Sequence, residues 1–282
     1  RENAQRSGLY PVSLPYDSSP DPDSDAEQPI DAREKPMGFF EHLDELRSTL
    51  VKSAIAFVIA ASGVGFFLKE FNHVLLQPLH TIAAKYPDVS VDLGTTTIME
   101  GFSVVIQMCA VGGLFIASPF IVFFVGQFVS PALTEKELKM VLPVGASAIL
   151  LFAMGCTFSF LLLVPSTIQV SLELNQLFGF VVRWTPAAYY SLLTWLVLGV
   201  GASFEFPLVI VMAVYLGLLE VQTLRKYRRH AIIAIFVMAA IVTPTPDPFT
   251  QTMFAAPLYV LYEIAIIAGS RITKRRAAEE MS

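Results

Sequence analysis

The stretch Ser191–Leu219, SLLTWLVLGVGASFEFPLVIVMAVYLGLL, is long and apolar enough to cross a bilayer as one helix, yet it carries a carboxylate, Glu205, near its middle. An ionised carboxylate in hydrocarbon costs at least a few kcal/mol, so Glu205 must face protein, water or a partner, or be protonated. Pro207 follows two residues later. Its ring has no N–H, so a carbonyl about one turn back, near Ser203, loses its donor and a kink opens beside the acid. The expected result is a polar notch halfway across a membrane. The plain alternative is a structural acid bonded to a neighbouring helix.

The rest of the chain agrees with a membrane setting. Of 282 residues 54% are hydrophobic and 15% charged, with a mean hydropathy of +0.60, which excludes a soluble domain of this size. Long apolar runs without period-2 alternation predict an all-α integral membrane protein and exclude an outer-membrane barrel. Six spans are expected: 51–68, 102–128, 141–164, 191–219, 231–242 and 253–267. The last two are short against the roughly 20 residues needed to cross about 30 Å of hydrocarbon, so they thin the bilayer or form a re-entrant pair. Cys109 and Cys156 lie inside apolar runs, where a thiol behaves as a small hydrophobe and a disulfide framework is not expected. The net charge of −5 comes largely from the first 36 residues and gives no case for nucleic-acid binding.

Residues 1–36 combine six prolines with many acids and little apolar content, and predict a disordered acidic tail. The tail has no positively charged start followed by an apolar core, so the membrane runs themselves are expected to direct insertion. Gly38–Leu50, GFFEHLDELRSTL, reads as an amphipathic helix at the membrane surface, with Phe39, Leu43, Leu46 and Leu50 on one face. Asp44 and Arg47 stand three apart and are expected to pair locally, whereas Glu41 and Glu45, four apart, want an external cation. Lys and Arg cluster before the first span, in the second-to-third loop (Lys136, Lys139), in the fourth-to-fifth loop (Arg225, Lys226, Arg228, Arg229) and after the sixth span (Arg271, Lys274, Arg275, Arg276). That distribution predicts cytoplasmic, or stromal, termini, with 273–282 a short charged cytoplasmic tail. Thr243–Gln251, TPTPDPFTQ, reads as a proline-punctuated turn in which Asp247 caps the last helix. The loop Ser130–Met140, SPALTEKELKM, places Pro131 in a first helical turn. Its Glu135 and Glu137 either receive a ligand or belong to an ordinary solvated, alternating-charge turn.

No phosphate loop, dinucleotide fingerprint, zinc-protease motif or Cys/His ligand pattern is present, and His42, His73, His80 and His230 are scattered. No nucleophile has a base at recognisable spacing, so no catalytic residue, cofactor or metal is expected.

Four stretches, EHLDELRSTL, FVSPALTEKE, GASFEFP and TPTPDPFTQ, occur in the order found in the TatC family, the multispanning core of the twin-arginine protein translocase, and the chain resembles that family over 37–272. The acidic tail lies outside the resemblance, and Gln107 stands where the family more often has a basic residue. The resemblance implies a glove-shaped bundle of six transmembrane helices that docks signal peptides bearing two arginines on its cytoplasmic face. It then assembles with single-span TatA/TatB-type subunits, as a homo-oligomer within a larger complex in contact with membrane lipid, and moves folded proteins on the proton-motive force. By motif position the signal-peptide residues are Glu45 and Glu137, with Arg47, Phe128 and Pro131 beside them. Arg guanidinium forks match carboxylates bidentately where Lys does not, in keeping with a demand for arginine. Glu205 matches an intramembrane acid facing the single-span partners, Gln251 a polar position near that surface alongside Asp247, and Pro78 a proline of the first outer loop. The implied location is the bacterial inner membrane, with the thylakoid as alternative. Two other readings compete: a proton-coupled secondary transporter using Glu205, against which no internal repeat is seen, and an intramembrane hydrolase, for which Glu205 lacks a second catalytic group.

Overall fold

In the computed structural model, large apolar side chains lie on the outside all along the helices: Ile55, Val58 and Ile59 on the first, Phe120 and Phe123 on the next long one, Leu142 and Leu150 on the third. Such a surface is stable only against hydrocarbon. The structure describes residues 39–87, 93–132, 135–245 and 247–280, without the side chains of 39, 132, 135–137, 139 and 275–280. The tail expected at 1–36 lies outside the described residues.

The elements are α1 (Phe39–Phe66), α2 (Leu68–Leu75), α3 (Gln77–Lys85), α4 (Glu100–Val129), a 3₁₀ turn (Ser130–Ala132), α5 (Glu135–Phe158), a π segment (Ser159–Leu163), α6 (Val164–Leu177), α7 (Pro186–Ser203), α8 (Phe206–Tyr215), α9 (Val221–Lys226), α10 (Arg228–Val242) and α11 (Pro248–Glu280). No strand occurs among the described residues, and five segments are long and apolar enough to cross a membrane: Phe40–Phe66, Glu100–Val129, Met140–Leu177, Pro186–Tyr215 and Pro248–Lys274.

Several expectations change. The amphipathic stretch is not a separate surface helix, because it runs without a break into the first span as one 28-residue α1. The segment between the first two expected spans contains α2 and α3, and the first half of the segment between the third and fourth is α6. Of the two helices expected to be short, α10 is: its 15 residues span about 22 Å at 1.5 Å per residue, against about 30 Å of hydrocarbon. The last helix is not short, since α11 has 33 residues and a 27-residue apolar segment. Its apolar run reads as 15 residues because charges follow soon after, but the backbone continues helical through them to Glu280.

Two buried clusters hold the helices together. One gathers Leu75, Leu79 and Ile82 of α2 and α3 with Met108 and Val111 of α4 and Tyr189, Leu193 and Leu196 of α7. Tyr190 adds a hydrogen bond from its hydroxyl to Asn72 Oδ1, and a second polar tie joins α3 to α6, where the Tyr86 hydroxyl donates to Glu173 at 2.8 Å. That carboxylate pushes the Tyr86 phenol above its ordinary range. The other cluster joins Leu163, Val200, Phe204, Ile235, Phe254 and Leu258. Trp195 Nε1 donates to the Val242 carbonyl at 2.8 Å, satisfying the end of the short α10.

Where helices cross most closely, glycine permits it. A Cβ on Gly113 of α4 would stand 2.8 Å from Ala61 Cβ and 2.9 Å from Ala61 Cα on α1. Backbone is the obstacle, so the clash is relieved only by moving a helix. Gly113→Ala is therefore expected to destabilise the protein by about 1–3 kcal/mol, read as a lower thermal midpoint in detergent. Gly63→Ala, where nothing lies within 4 Å of the added carbon, is expected to be neutral or mildly stabilising in the same assay.

Candidate functional site

The end of the bundle where α1 begins and α4 ends brings together two of the stretches singled out in the sequence. His42 of α1 stacks on Phe128 of α4, with ring centroids 4.6 Å apart and planes inclined by 21°. His42, Glu45 and Thr49 recur at helical spacing on one face of α1, and that face meets α4. Thr49 is buried and Glu45 half-buried, while Glu41, Asp44, Arg47 and Ser48 are exposed. Glu45 Oε2 is buried with no hydrogen-bond partner, an uncommon state for a carboxylate oxygen. Arg47 lies on a different face, where it lines a shallow open groove with Asp44, Ser48, Val51 and Lys52. The expected Asp44–Arg47 ion pair does not form; among the described residues the ion pair is Arg228–Glu263.

Beyond Phe128 the chain turns through the 3₁₀ segment, which exposes Pro131, and enters α5 at Glu135. Glu137 is in the first turn of α5; its side chain is outside the described residues.

The polar notch takes the form of a helix break. α7 stops at Ser203, α8 starts at Phe206, and Glu205 sits in the junction, half-buried, with Pro207 in the first turn beyond it. Tightened hydrogen bonds carry the backbone across: Glu205 N donates to Ala202 O at 3.1 Å, and Glu205 O accepts from Leu208 N at 3.0 Å and Val209 N at 3.1 Å. Ser203 Oγ donates to Gly199 O at 2.7 Å. Close helix approach buttresses the junction, since a Cβ on Gly155 of α5 would meet the Phe204 ring at 2.8 Å and Gly201 Cα at 3.0 Å.

Pro78 is buried in the first turn of α3, which packs near Tyr189. Tyr189 lies 16 residues before Glu205, about 24 Å along the helix axis, so Pro78 and Glu205 belong to different levels of the bundle. Asp247 and Gln251 are adjacent to each other at the start of α11. Asp247 Oδ1 accepts from Thr250 N at 2.7 Å and so caps the helix, and Gln251 N donates to Asp247 O at 3.2 Å. From Thr252 onward an apolar groove of about 220 Å³ runs between α10 and α11, lined by Ile232, Ile235, Phe236, Ala255 and Tyr259 among others.

Sequence reasoning missed two residues. His42 was grouped with scattered histidines, although its place three residues before Glu45 on the same helix face was readable. Glu263, a second acid within a span, pairs with Arg228 at 2.7 Å and accepts from the Tyr259 hydroxyl at 3.1 Å; its partner is 35 residues away, and no local signal joins them.

Long apolar helices satisfied along their own backbones, and breached at an acid within the fourth span, define a multi-pass α-helical membrane protein. The family model described as Sec-independent protein translocase protein (TatC) matches residues 41–257, and the chain belongs to that family. It is similar to a Sec-independent protein translocase protein TatC of Koribacter versatilis (strain Ellin345), 31% identical over 87% of this chain and 92% of the relative. A protein of the same description from Aquifex aeolicus (strain VF5) is 33% identical over 85% of this chain and 98% of its own length. A crystal structure of the twin arginine translocase receptor TatC in DDM superposes with a TM-score of 0.69 at 33% identity, covering 81% of this chain and 99% of that one. The family's description places the chain in Sec-independent protein transport.

The capping geometry at α11 carries its own expectation. Asp247→Ala removes the acceptor for Thr250 N–H and is expected to cost about 1 kcal/mol, while Asp247→Asn retains most of it, read as thermal midpoints of the purified protein.

Proposed function

We propose that this chain is the receptor subunit of a twin-arginine translocation system, docking signal peptides through Glu45 and Glu137 with Phe128, Pro131 and Arg47 around them. The observation that carries this reading is Glu45: a half-buried carboxylate, one oxygen of which has no hydrogen-bond donor, beside an aromatic stack on the face where α1 meets α4. A guanidinium supplies two parallel N–H donors and a charge, the complement such a carboxylate lacks.

In this reading the chain crosses the membrane six times, with α10 as the short fifth span and both termini on the cytoplasmic side, as the Lys and Arg clusters indicate. The membrane is the bacterial inner membrane, a placement supported by the similarity to the two bacterial relatives above. Glu205, Gln251, Asp247 and Pro78 serve assembly with single-span partner subunits. The helix break that brings Glu205 to a half-buried position in the fourth span supports this for Glu205, and the apolar groove beginning beside Gln251 supports it for α11. Transport of folded cargo draws on the proton-motive force, since the sequence holds no nucleotide-binding motif.

The test is binding of a labelled signal peptide to the purified chain in nanodiscs, comparing an Arg-Arg peptide with its Lys-Lys twin. The wild type is expected to prefer Arg-Arg, and Glu45→Ala or Glu137→Ala to weaken that peptide about tenfold or more, the loss of a charge-assisted pair. Equal binding of the two peptides with no effect of either substitution would remove the receptor reading. Proton-driven uptake of a small solute by the chain alone would instead favour a transporter built on Glu205.

A further inference from the structure

The recognition end contains an aromatic surface that the acids alone do not account for. His42 and Phe128 stand 86 positions apart in sequence yet stack nearly parallel. Phe128 is half-buried and backs the pair, whereas His42 is exposed. Glu45 follows His42 by three residues, which places the two side chains as neighbours on one helix face, roughly 5–6 Å apart at Cβ. Glu45 itself is half-buried, and its buried Oε2 has no hydrogen-bond partner.

A ring face and a carboxylate edge, one helical turn apart, are complementary to a single chemical group. A guanidinium is flat, stacks on aromatic rings through its plane and bonds carboxylates through its edge, and can do both at once because the two directions are perpendicular. An ammonium has no plane, is more strongly hydrated and reaches the carboxylate as a point charge. Two carboxylates by themselves attract either cation, so charge alone discriminates poorly between arginine and lysine. The ring supplies what charge leaves out.

We propose that His42, backed by Phe128, is a specificity-determining residue: an arginine guanidinium of the incoming peptide lies flat on its imidazole while Glu45 takes the guanidinium edge. This rests on the signal-peptide reading above and adds to it the group that reads planarity.

The experiment titrates labelled Arg-Arg and Lys-Lys peptides onto the full chain in nanodiscs, as wild type, His42→Ala, His42→Tyr and Glu45→Gln, with a thermal melt of each. His42→Ala is expected to weaken the Arg-Arg peptide by about three- to thirtyfold, the range of a cation–aromatic contact, and to leave the Lys-Lys peptide within about twofold. His42→Tyr keeps a ring on Phe128 and is expected to retain most of the preference. Should His42→Ala fail to fold, His42→Gln, polar and of similar reach but without a ring, takes its place and is expected to show the same selective loss. The proposal is overturned if removing the ring weakens both peptides equally, if it weakens neither, or if His42→Tyr loses as much as His42→Ala. A wild type that prefers Arg-Arg, loses the preference with Glu45→Gln and keeps it with His42→Ala leaves the receptor role standing and removes the stacking. A wild type with no preference removes both.

Discussion

In hydrocarbon a backbone N–H or C=O without a partner costs several kcal/mol, and no water is at hand to supply one. That constraint makes each departure from regular helix in this protein a place to explain, and two of them adjoin. The break between α7 and α8 at Phe204 and Glu205 faces the π segment Ser159–Leu163 between α5 and α6, with Phe158 and Phe204 rings 5.8 Å apart and Leu163 and Phe204 in one buried cluster. At Ser159, Leu163, Ser203 and Phe204 the two irregular stretches are buried against protein, whereas Leu161, Leu162 and Phe206 stay on the outer surface. Gly155 and Gly201 make this possible by letting the helices approach until backbone nearly touches backbone. A half-buried acid is tolerated within this span because the chain around it has already been bent and packed.

Legibility in the sequence followed the range of the interaction. The break at Glu205 was readable because its cause, Pro207, is two residues away, and the cap at Asp247 because it acts over three. The membrane class was readable because composition is a property of the whole chain. Helix limits were less so. The continuity of α1 was hidden by a change from charged to apolar composition that the backbone does not follow, and the length of α11 by the reverse change. The small helices α2 and α3 form where their apolar residues meet α4 and α7, so their presence depended on partners distant in sequence. The same holds for the His42–Phe128 stack, the Arg228–Glu263 pair and the fit of Gly113 against Ala61: each is a long-range contact between residues ordinary in their local setting.

The polar features are distributed by depth. At the level where α1 starts and α4 ends lies the carboxylate with its aromatic neighbours. At the break between α7 and α8 lies a single acid held by bent backbone. At the start of α11 lies a capped turn with an apolar groove beneath it. One buried cluster takes in Phe204 at the break together with Ile235 and Ala255 beside the groove, whereas His42, Glu45 and Phe128 belong to neither cluster. The break and the groove thus share packing, and the end with Glu45 is the level separable from them by substitution.

The shortness of α10 bears on how the protein is made. A 15-residue helix opening with Arg228, Arg229 and His230 carries too little apolar length to partition into a bilayer by itself. Its last carbonyl is held by Trp195 of α7 and its apolar face lies against α11. Both partners must then be at hand when α10 leaves water. If α10 crosses, as the six-span reading proposed above has it, α7 is synthesised before it and α11 after it, so α10 waits for the chain beyond residue 248 and the two enter as a hairpin around the proline turn. On the six-span reading, insertion of α10 and α11, the last fifth of the chain, is therefore cooperative.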